Sequence, residues 1–500
     1  MSKFRLSFVL SFVVALAGCG GGGSTGSNTP QVVYADGLGV SGVATGTTVV
    51  GQDANPIYST SHPSVVLADD GKAMAVWVTH GANYLEDSFA WNQSNANGVW
   101  ATAQPLSLGA GIPNYDDSIT LRANSAGNAV LGWIEFVGQS QTRANRAARF
   151  INGSGWDATK FDISGDYSYP SSWDLAMLDD DSYVSRVTTY DSSSGIYTYS
   201  LLRQPGAGAT EYLFGLQSSS WAQFTAHAVR PDGNFVQYWV APDATGGYEV
   251  KARFAAVGGV AFASFPVASV PAVCAWGGSS GFYFNPMMAA TSPTFHNALV
   301  IVAGESDCTK HDLELVRIDT SGGISIEATR VNSPNTIVTM APVIVMDKDG
   351  NALAVWKEAP YNDSLAPAQL MWSASLAGGA WSTAAPVITN LSAIGRVKQY
   401  GEIALAMNAN GEAIAAIRTE DSDTSLVNPS VSVGKFKFAS GWADWSRVAN
   451  KTNISTPAVA INASGSAIVM YSALDVDRVN GKAAQGWSGS TVTKVFALRM

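Results

Sequence analysis

Short apolar runs broken by tight polar turns recur along the whole chain. The clearest instance is Ala341 to Trp356, APVIVMDKDGNALAVW, where an apolar run ends in Asp-Gly-Asn and a second run of alternating small and large apolar residues follows. Asp-Gly between two such runs predicts a β-hairpin. The stretch is rewritten at PSVVLADDGKAMAVW, SITLRANSAGNAVLGW, WDLAMLDDDSYVSRV, AHAVRPDGNFVQYW, MMAATSPTFHNALVIV, IALAMNANGEAIAAI and PAVAINASGSAIVMY. With the turn glycine or its equivalent as anchor, the copies fall at Gly71, Gly127, Asp181, Gly233, His296, Gly350, Gly411 and Gly465. They are spaced 56, 54, 52, 63, 54, 61 and 54 residues apart. Trp77, Trp133, Trp239 and Trp356 each follow their glycine by six residues, and Tyr471 takes that place in the last copy. A large ring at a fixed register is a packing signature.

A repeat of this length implies a solenoid, a propeller or an array. Each unit reads as four strands. Strands A and B form the hairpin. Strand C carries an arginine register (Arg149, Arg203, Arg253, Arg317, Arg499), and strand D often opens with a tryptophan, as at Trp100, Trp156, Trp381 and Trp442. Four antiparallel strands per unit make one blade of a β-propeller. The fold class is therefore all-β, with eight blades; seven remains an alternative because copies three and five are degenerate. The last copy stops at its strand C, and residues 41–51 look like the missing strand D. Residues 43–50 are expected to pair with 492–500, closing the ring and removing an exposed edge. An open β-solenoid or a pair of sandwiches is the rival reading.

Composition supports this class. The chain has 500 residues, of which 46% are hydrophobic but only 14% charged, ample for a large core. A net charge of −10 without a basic cluster argues against nucleic acid as a partner. The first residues differ in character. Lys3 and Arg5 precede an apolar stretch, Leu6 to Ala15, too short to span a bilayer as a helix. It ends in Leu-Ala-Gly-Cys19, which resembles the lipobox of bacterial lipoproteins. That resemblance implies cleavage after residue 18, lipidation (palmitate included) of Cys19, and, with Gly20 in place of the retention aspartate, an outer-membrane location. Residues 19–39 form a Gly/Ser-rich tether, whose first eleven residues after the cysteine reach at most ~35 Å. The propeller is assigned to residues 40–500, on a chain expected to be monomeric.

Candidate chemistry sits in the loops. D–A and B–C connections share one face of a propeller, and variable loops on a rigid scaffold are where recognition usually lives. Glu358, Tyr361, Asp363, Glu420 and Asp421 are assigned to B–C loops. Tyr400 and Glu402 are placed just before a strand A. Carboxylates with aromatics suit a hydroxylated or peptidic ligand. Asp347, Asp349 and Asn351 resemble the start of a calcium loop, but an apolar strand follows at once and a turn explains them. Gly277 to Gly281 matches G-x-S-x-G without the strand and helix that a nucleophile elbow requires. The five histidines show no paired metal-ligand spacing. No metal site and no cofactor is assigned. With Cys19 committed to lipid, Cys274 and Cys308 are expected to form a disulfide, since both fall on the same face of blade five.

The Asp-Gly hairpin with its downstream tryptophan resembles the repeats of sialidase-like bacterial propellers. In the sialidase Asp-box the tryptophan follows its glycine by three residues rather than six, so the resemblance is one of architecture and no arginine triad is assigned. A membrane-anchored, extracytoplasmic binding or scaffolding propeller is the first functional expectation, with a glycan or an envelope protein as partner. A glycan-active hydrolase or lyase using loop carboxylates is the alternative.

Overall fold

The computed structural model describes residues 47–53, 63–79, 88–108, 112–113, 119–137, 142–158, 160–162, 175–191, 194, 196–205, 210–218, 225–255, 263–274, 285–294, 296–304, 311–320, 324–331, 336–360, 366–388, 396–398, 401–420, 429–452, 454–479, 482–483 and 493–500. All of them fall within one compact unit spanning residues 34–500. Every regular element among them is a strand.

Eight antiparallel blades follow in chain order. Blade one is Ser64–Leu67, Ala73–Thr79, Ser88–Gln93 and Gln104–Leu106. In blade two, Thr120–Ala123, Ala129–Val137 and Thr142–Ile151 lead to the short outer pieces Gly155–Trp156 and Phe161–Asp162. Blade three is Leu175–Met177, Tyr183–Asp191, Ile196–Gln204 and Glu211–Ser218. Blade four is Thr225–Val229, Phe235–Pro242, Tyr248–Ala255 and Phe265–Val270. In blade five, Ala272–Val273 and Met287–Thr291 share the inner position, followed by His296–Gly304, His311–Asp319 and Ser325–Val331. Blade six runs Val343–Met346, Ala352–Pro360, Gln369–Ser375 and Ala385–Pro386. Blade seven runs Ile403–Met407, Glu412–Glu420, Pro429–Lys437 and Ser446–Thr452. Blade eight takes Ala458–Ile461, Ala467–Val479 and Thr493–Arg499 from the C-terminal end. Its fourth strand is Thr47–Asp53.

That fourth strand closes the ring. It pairs antiparallel with the last strand from Thr47 opposite Leu498 to Asp53 opposite Thr493, with a bulge between Val49 and Gly51. Inner strands of neighbouring blades touch around most of the circle, including Ala458–Ile461 of blade eight against Ser64–Leu67 of blade one. Blades three and four meet through Leu178, Val184, Phe235 and Ala255, and through a hydrogen bond from Asp179 N–H to Pro231 C=O at 3.1 Å. The expected count of eight blades and the N-terminal closure both hold.

The repeated turn has a physical basis. In seven copies the N–H of the first turn residue donates to the C=O four positions on, and the N–H three positions on donates back. Ala68, Asn124, Leu178, Arg230, Asp347, Asn408 and Asn462 are those first residues. The fourth residue has positive φ, at Gly71, Gly127, Gly233, Gly350, Gly411 and Gly465, and at Asp181 (φ 65°). This is a three-residue hairpin loop with a left-handed bulge residue, a place for Gly and tolerable for Asp. Blade five corrects the sequence register. Ser292 N–H donates to His296 C=O, so the position equivalent to the turn glycine is residue 295, one before His296 and outside the described residues. The shift came from anchoring a degenerate copy that has no glycine.

Turns also tie blade to blade. Asn124 Nδ2 donates to Leu178 C=O at 2.9 Å and Asn408 Nδ2 to Asn462 C=O at 2.9 Å; Asn462 Nδ2 reaches Ala68 C=O at 3.4 Å across the closure. Three arginines of the strand C register have the same job, whereas Arg203 bonds Ser182, Asp180 and Glu211 of its own blade. Arg149 donates to Asp181 C=O at 3.2 Å, Arg317 to Gly350 C=O at 2.7 Å, and Arg499 to Gly71 C=O. Between blades lie alternating apolar layers. One joins Val50, Trp77, Ile468 and Val495 at the closure; another joins Leu315, Trp356 and Trp381 between blades five and six. All five aromatic residues of the repeat register are buried. Burial of each such ring is worth roughly 1.5–3 kcal/mol.

Candidate functional site

The D–A/B–C ends of blades six and seven bring the sequence-nominated residues nearest together. Strand B of blade six, Ala352–Pro360, alternates its side chains, so Trp356 and Glu358 share one face and Lys357 takes the other. Glu358 is only 7% exposed. Its Oε1 accepts the Trp356 indole N–H at 2.6 Å and its Oε2 accepts from Thr336 Oγ1 at 3.3 Å. It therefore lies within a strand and is not a loop residue facing solvent. Strand B is simply longer at its C-terminal end than the apolar pattern suggested. Glu420 is corrected in the same way, being the last residue of strand Glu412–Glu420. It stands opposite Arg396 in the sheet and pairs with Lys398 Nζ at 2.9 Å. Glu402 is exposed and immediately precedes strand Ile403–Met407, as expected. Tyr361, Asp363, Tyr400 and Asp421 lie outside the described residues, as do Cys19 and Cys308. Cys274 is fully buried and disulfide-bonded.

Lys357 is the residue that sequence reasoning missed. It has no exposed surface. Its Nζ donates to Gly401 C=O at 2.7 Å and to Lys398 C=O at 3.1 Å, holding the segment that leads into blade seven. Burial pushes its amine down to about 7; Glu402 opposes the shift, while Lys398 and Arg418 reinforce it. Arg418 occupies the equivalent position of blade seven, seven residues after Gly411 as Lys357 is after Gly350. Burial also lowers its proton affinity, against the pull of Glu420. The available signal was a charged residue at a repeat position that is Val78 in blade one and Ile134 in blade two.

The site thus combines an exposed carboxylate, Glu402, with Lys398 and Arg418, all of which act on a buried amine. Glu358 and Glu420 already have donors or a cation as partners. Among the described residues no group of three or more His, Cys, Asp or Glu is arranged to hold a metal ion.

These features define an eight-bladed β-propeller. No family model and no curated protein matches the chain. Among solved structures it is similar to an α-L-arabinanase from Penicillium chrysogenum, at 11% identity and TM-score 0.36 over 65% of this chain and 94% of that one. The intramolecular trans-sialidase from Ruminococcus gnavus gives 12% identity and TM-score 0.32 over 91% and 98% of the two chains. The β-propeller domain of the Trilobed protease from Pyrococcus furiosus gives 8% and 0.40 over 78% and 96%. At these identities and scores the similarities carry no argument about substrate or residue roles. The propeller assignment rests on the strand order itself.

Proposed function

We propose that this protein is a binding or scaffolding propeller of the bacterial cell envelope. It is held to the outer membrane by lipid on Cys19 and docks a glycan or envelope protein on its D–A/B–C face. The single observation that carries the reading is the division of labour between the two faces. The A–B turns are short and uniform; the amides of Asn124, Asn408 and Asn462 bond the next blade, and charged turn residues such as Asp70, Asp232 and Asp349 pair within their own turns. The opposite face presents the exposed Glu402, next to connections that vary in length. Commitment of Glu358 and Glu420 to partners within the fold favours binding over glycan hydrolysis, since an acid–base pair needs carboxylates free to exchange protons with substrate. The lipid anchor rests on the resemblance of residues 1–19 to a lipobox.

A binding screen of residues 31–500 against glycans and envelope proteins tests the first part. Saturable binding without product formation is the expected result, and turnover of a glycan overturns it. Metabolic labelling with radioactive palmitate tests the second part, with label expected on the wild type and absent from Cys19→Ser.

A further inference from the structure

A second recess lies at the seam where the ring closes, between blades eight and one rather than at blades six and seven. Between strand Thr47–Asp53 and blade one is a cleft of about 530 Å³, within the size range of small-molecule sites. Val50, Trp77 and Phe89 contribute its apolar, buried part, while Gln52, Ser88 and Gln104 are exposed around it. Among the described residues no charged side chain lines it, in a chain whose net charge is −10.

The repeat supplies an internal comparison. Trp77 and Trp356 hold the same register, six residues after Gly71 and Gly350. In blade six the indole N–H is taken by Glu358, two residues further on, at 2.6 Å. In blade one Thr79 stands at that position, and its hydroxyl is engaged with Ser88 Oγ at 2.7 Å. The Trp77 Nε1–H is buried and has no hydrogen-bond partner. Its edge of the indole faces the closing strand, since a Cβ on Gly51 would stand 2.1 Å from Cζ2 and 2.9 Å from Cε2. A buried donor without an acceptor is costly, and its counterpart in blade six shows what the position accepts: an oxygen.

We propose that the seam cleft binds a neutral saccharide, one hydroxyl of which takes the place beside Trp77 that the Glu358 carboxylate holds beside Trp356. A charged ligand would be desolvated here without a counter-charge among the described lining residues. The hydroxyls and amides of Thr79, Ser88, Gln52 and Gln104 both donate and accept, which matches the hydroxyls of a sugar. The apolar part takes its C–H face. Because the closing strand supplies one wall, the site exists only in the closed ring.

The test uses full-length protein labelled with 5-fluorotryptophan and 19F NMR, the Trp77 resonance being assigned by its loss in Trp77→Phe. Cellobiose, maltose and diacetylchitobiose are the probes, with glucuronic acid as the charged control. A saturable shift of the Trp77 resonance with at least one neutral disaccharide and none with glucuronic acid is expected. Thr79→Glu recreates the blade-six pair inside blade one, and should weaken that binding at least tenfold while leaving Tm unchanged or higher. Gln52→Leu, on the exposed lip, should weaken it severalfold whatever the behaviour of Thr79→Glu. The proposal is overturned if no neutral disaccharide moves the Trp77 resonance, if the charged control binds equally well, or if both variants bind like the wild type.

Discussion

The backbone of Gly51 lies against the indole of Trp77 so closely that a Cβ at position 51 would stand 2.1 Å from Cζ2. The contact joins the first strand of the propeller to the repeat aromatic of blade one. Asn92 locks the same bulge, donating to Val50 C=O at 2.7 Å and Ala101 C=O at 2.9 Å. Only a residue without a side chain permits this approach, so Gly51→Val should overpack the seam. A loss of roughly 1–3 kcal/mol is expected, read as a lower midpoint in urea unfolding. Deleting residues 31–51 should lower Tm further. An unchanged Tm for that deletion would contradict closure by this strand.

Lys357 gives the fold a signature in pH. Its folded amine is pushed by burial to about 7, below the ordinary value of 10.5. Between those values the unfolded chain binds more protons at this site than the folded one. Stability from this residue therefore rises with pH across that window, and the full penalty applies below about 7. In Lys357→Met the rise should vanish. Urea titrations at pH 7 and pH 9.5 on both proteins isolate the effect: the wild type should gain on the variant by more than about 1 kcal/mol as pH increases. A parallel pH response in the two proteins would rule it out.

Glu358 separates a structural carboxylate from a ligand-binding one. Its Oε1 takes the buried Trp356 N–H, so Glu358→Ala leaves that donor unsatisfied and should cost about 1–3 kcal/mol. Glu358→Gln keeps an acceptor and should cost less. Binding of any ligand at the D–A/B–C face should persist in both variants once they are folded. Loss of affinity without loss of stability would return Glu358 to the recognition surface.

The hairpin period, the buried aromatic register and the closing strand were all legible because each is periodic and set by local chemistry: a turn glycine, alternating apolar residues, an unpaired strand. The arginine register was visible as a pattern, but its purpose was not. Arg149, Arg317 and Arg499 each bond the turn of the following blade, a contact that spans separate repeats. The site was harder to read for the same reason. Glu358 and Glu420 looked like loop residues because charge usually marks the end of a strand, whereas here tertiary partners carry the strands past them. Lys357 looked like one more charge beside Glu358 and Trp356. Only the fold shows two main-chain carbonyls of the next blade converging on its amine.

The disulfide of Cys274 is open to a direct check. Cys274 is buried at the end of the inner strand of blade five, beside Ala272. The expected partner is Cys308, closing a loop that contributes roughly 3–4 kcal/mol in the chain-entropy model. Mass spectrometry of a non-reduced digest should recover the Cys274–Cys308 crosslinked peptide pair. Labelling of Cys308 by a thiol reagent in unreduced, unfolded protein would exclude the pairing.

Recognition by the two faces of the ring should differ, and the difference follows from what each face has left to offer. On the A–B face, Asp69 accepts the Ala463 N–H across the closure at 2.9 Å, and Asp70 pairs with Lys72 of its own turn at 2.7 Å. Those groups serve the ring and each other. On the D–A/B–C face, Glu402 is exposed immediately before strand Ile403–Met407 of blade seven. Variable connections there can be changed without disturbing a staple. Glu402→Ala combined with Tyr400→Ala should therefore weaken a ligand found in the binding screen by at least tenfold with little change in Tm. Asp70→Ala combined with Lys72→Ala should leave affinity within about twofold and stability within about 1 kcal/mol, as for an exposed ion pair. Affinities measured by calorimetry on the two double variants decide the matter: equal losses from both, or a loss from the A–B pair alone, would place recognition on the wrong face.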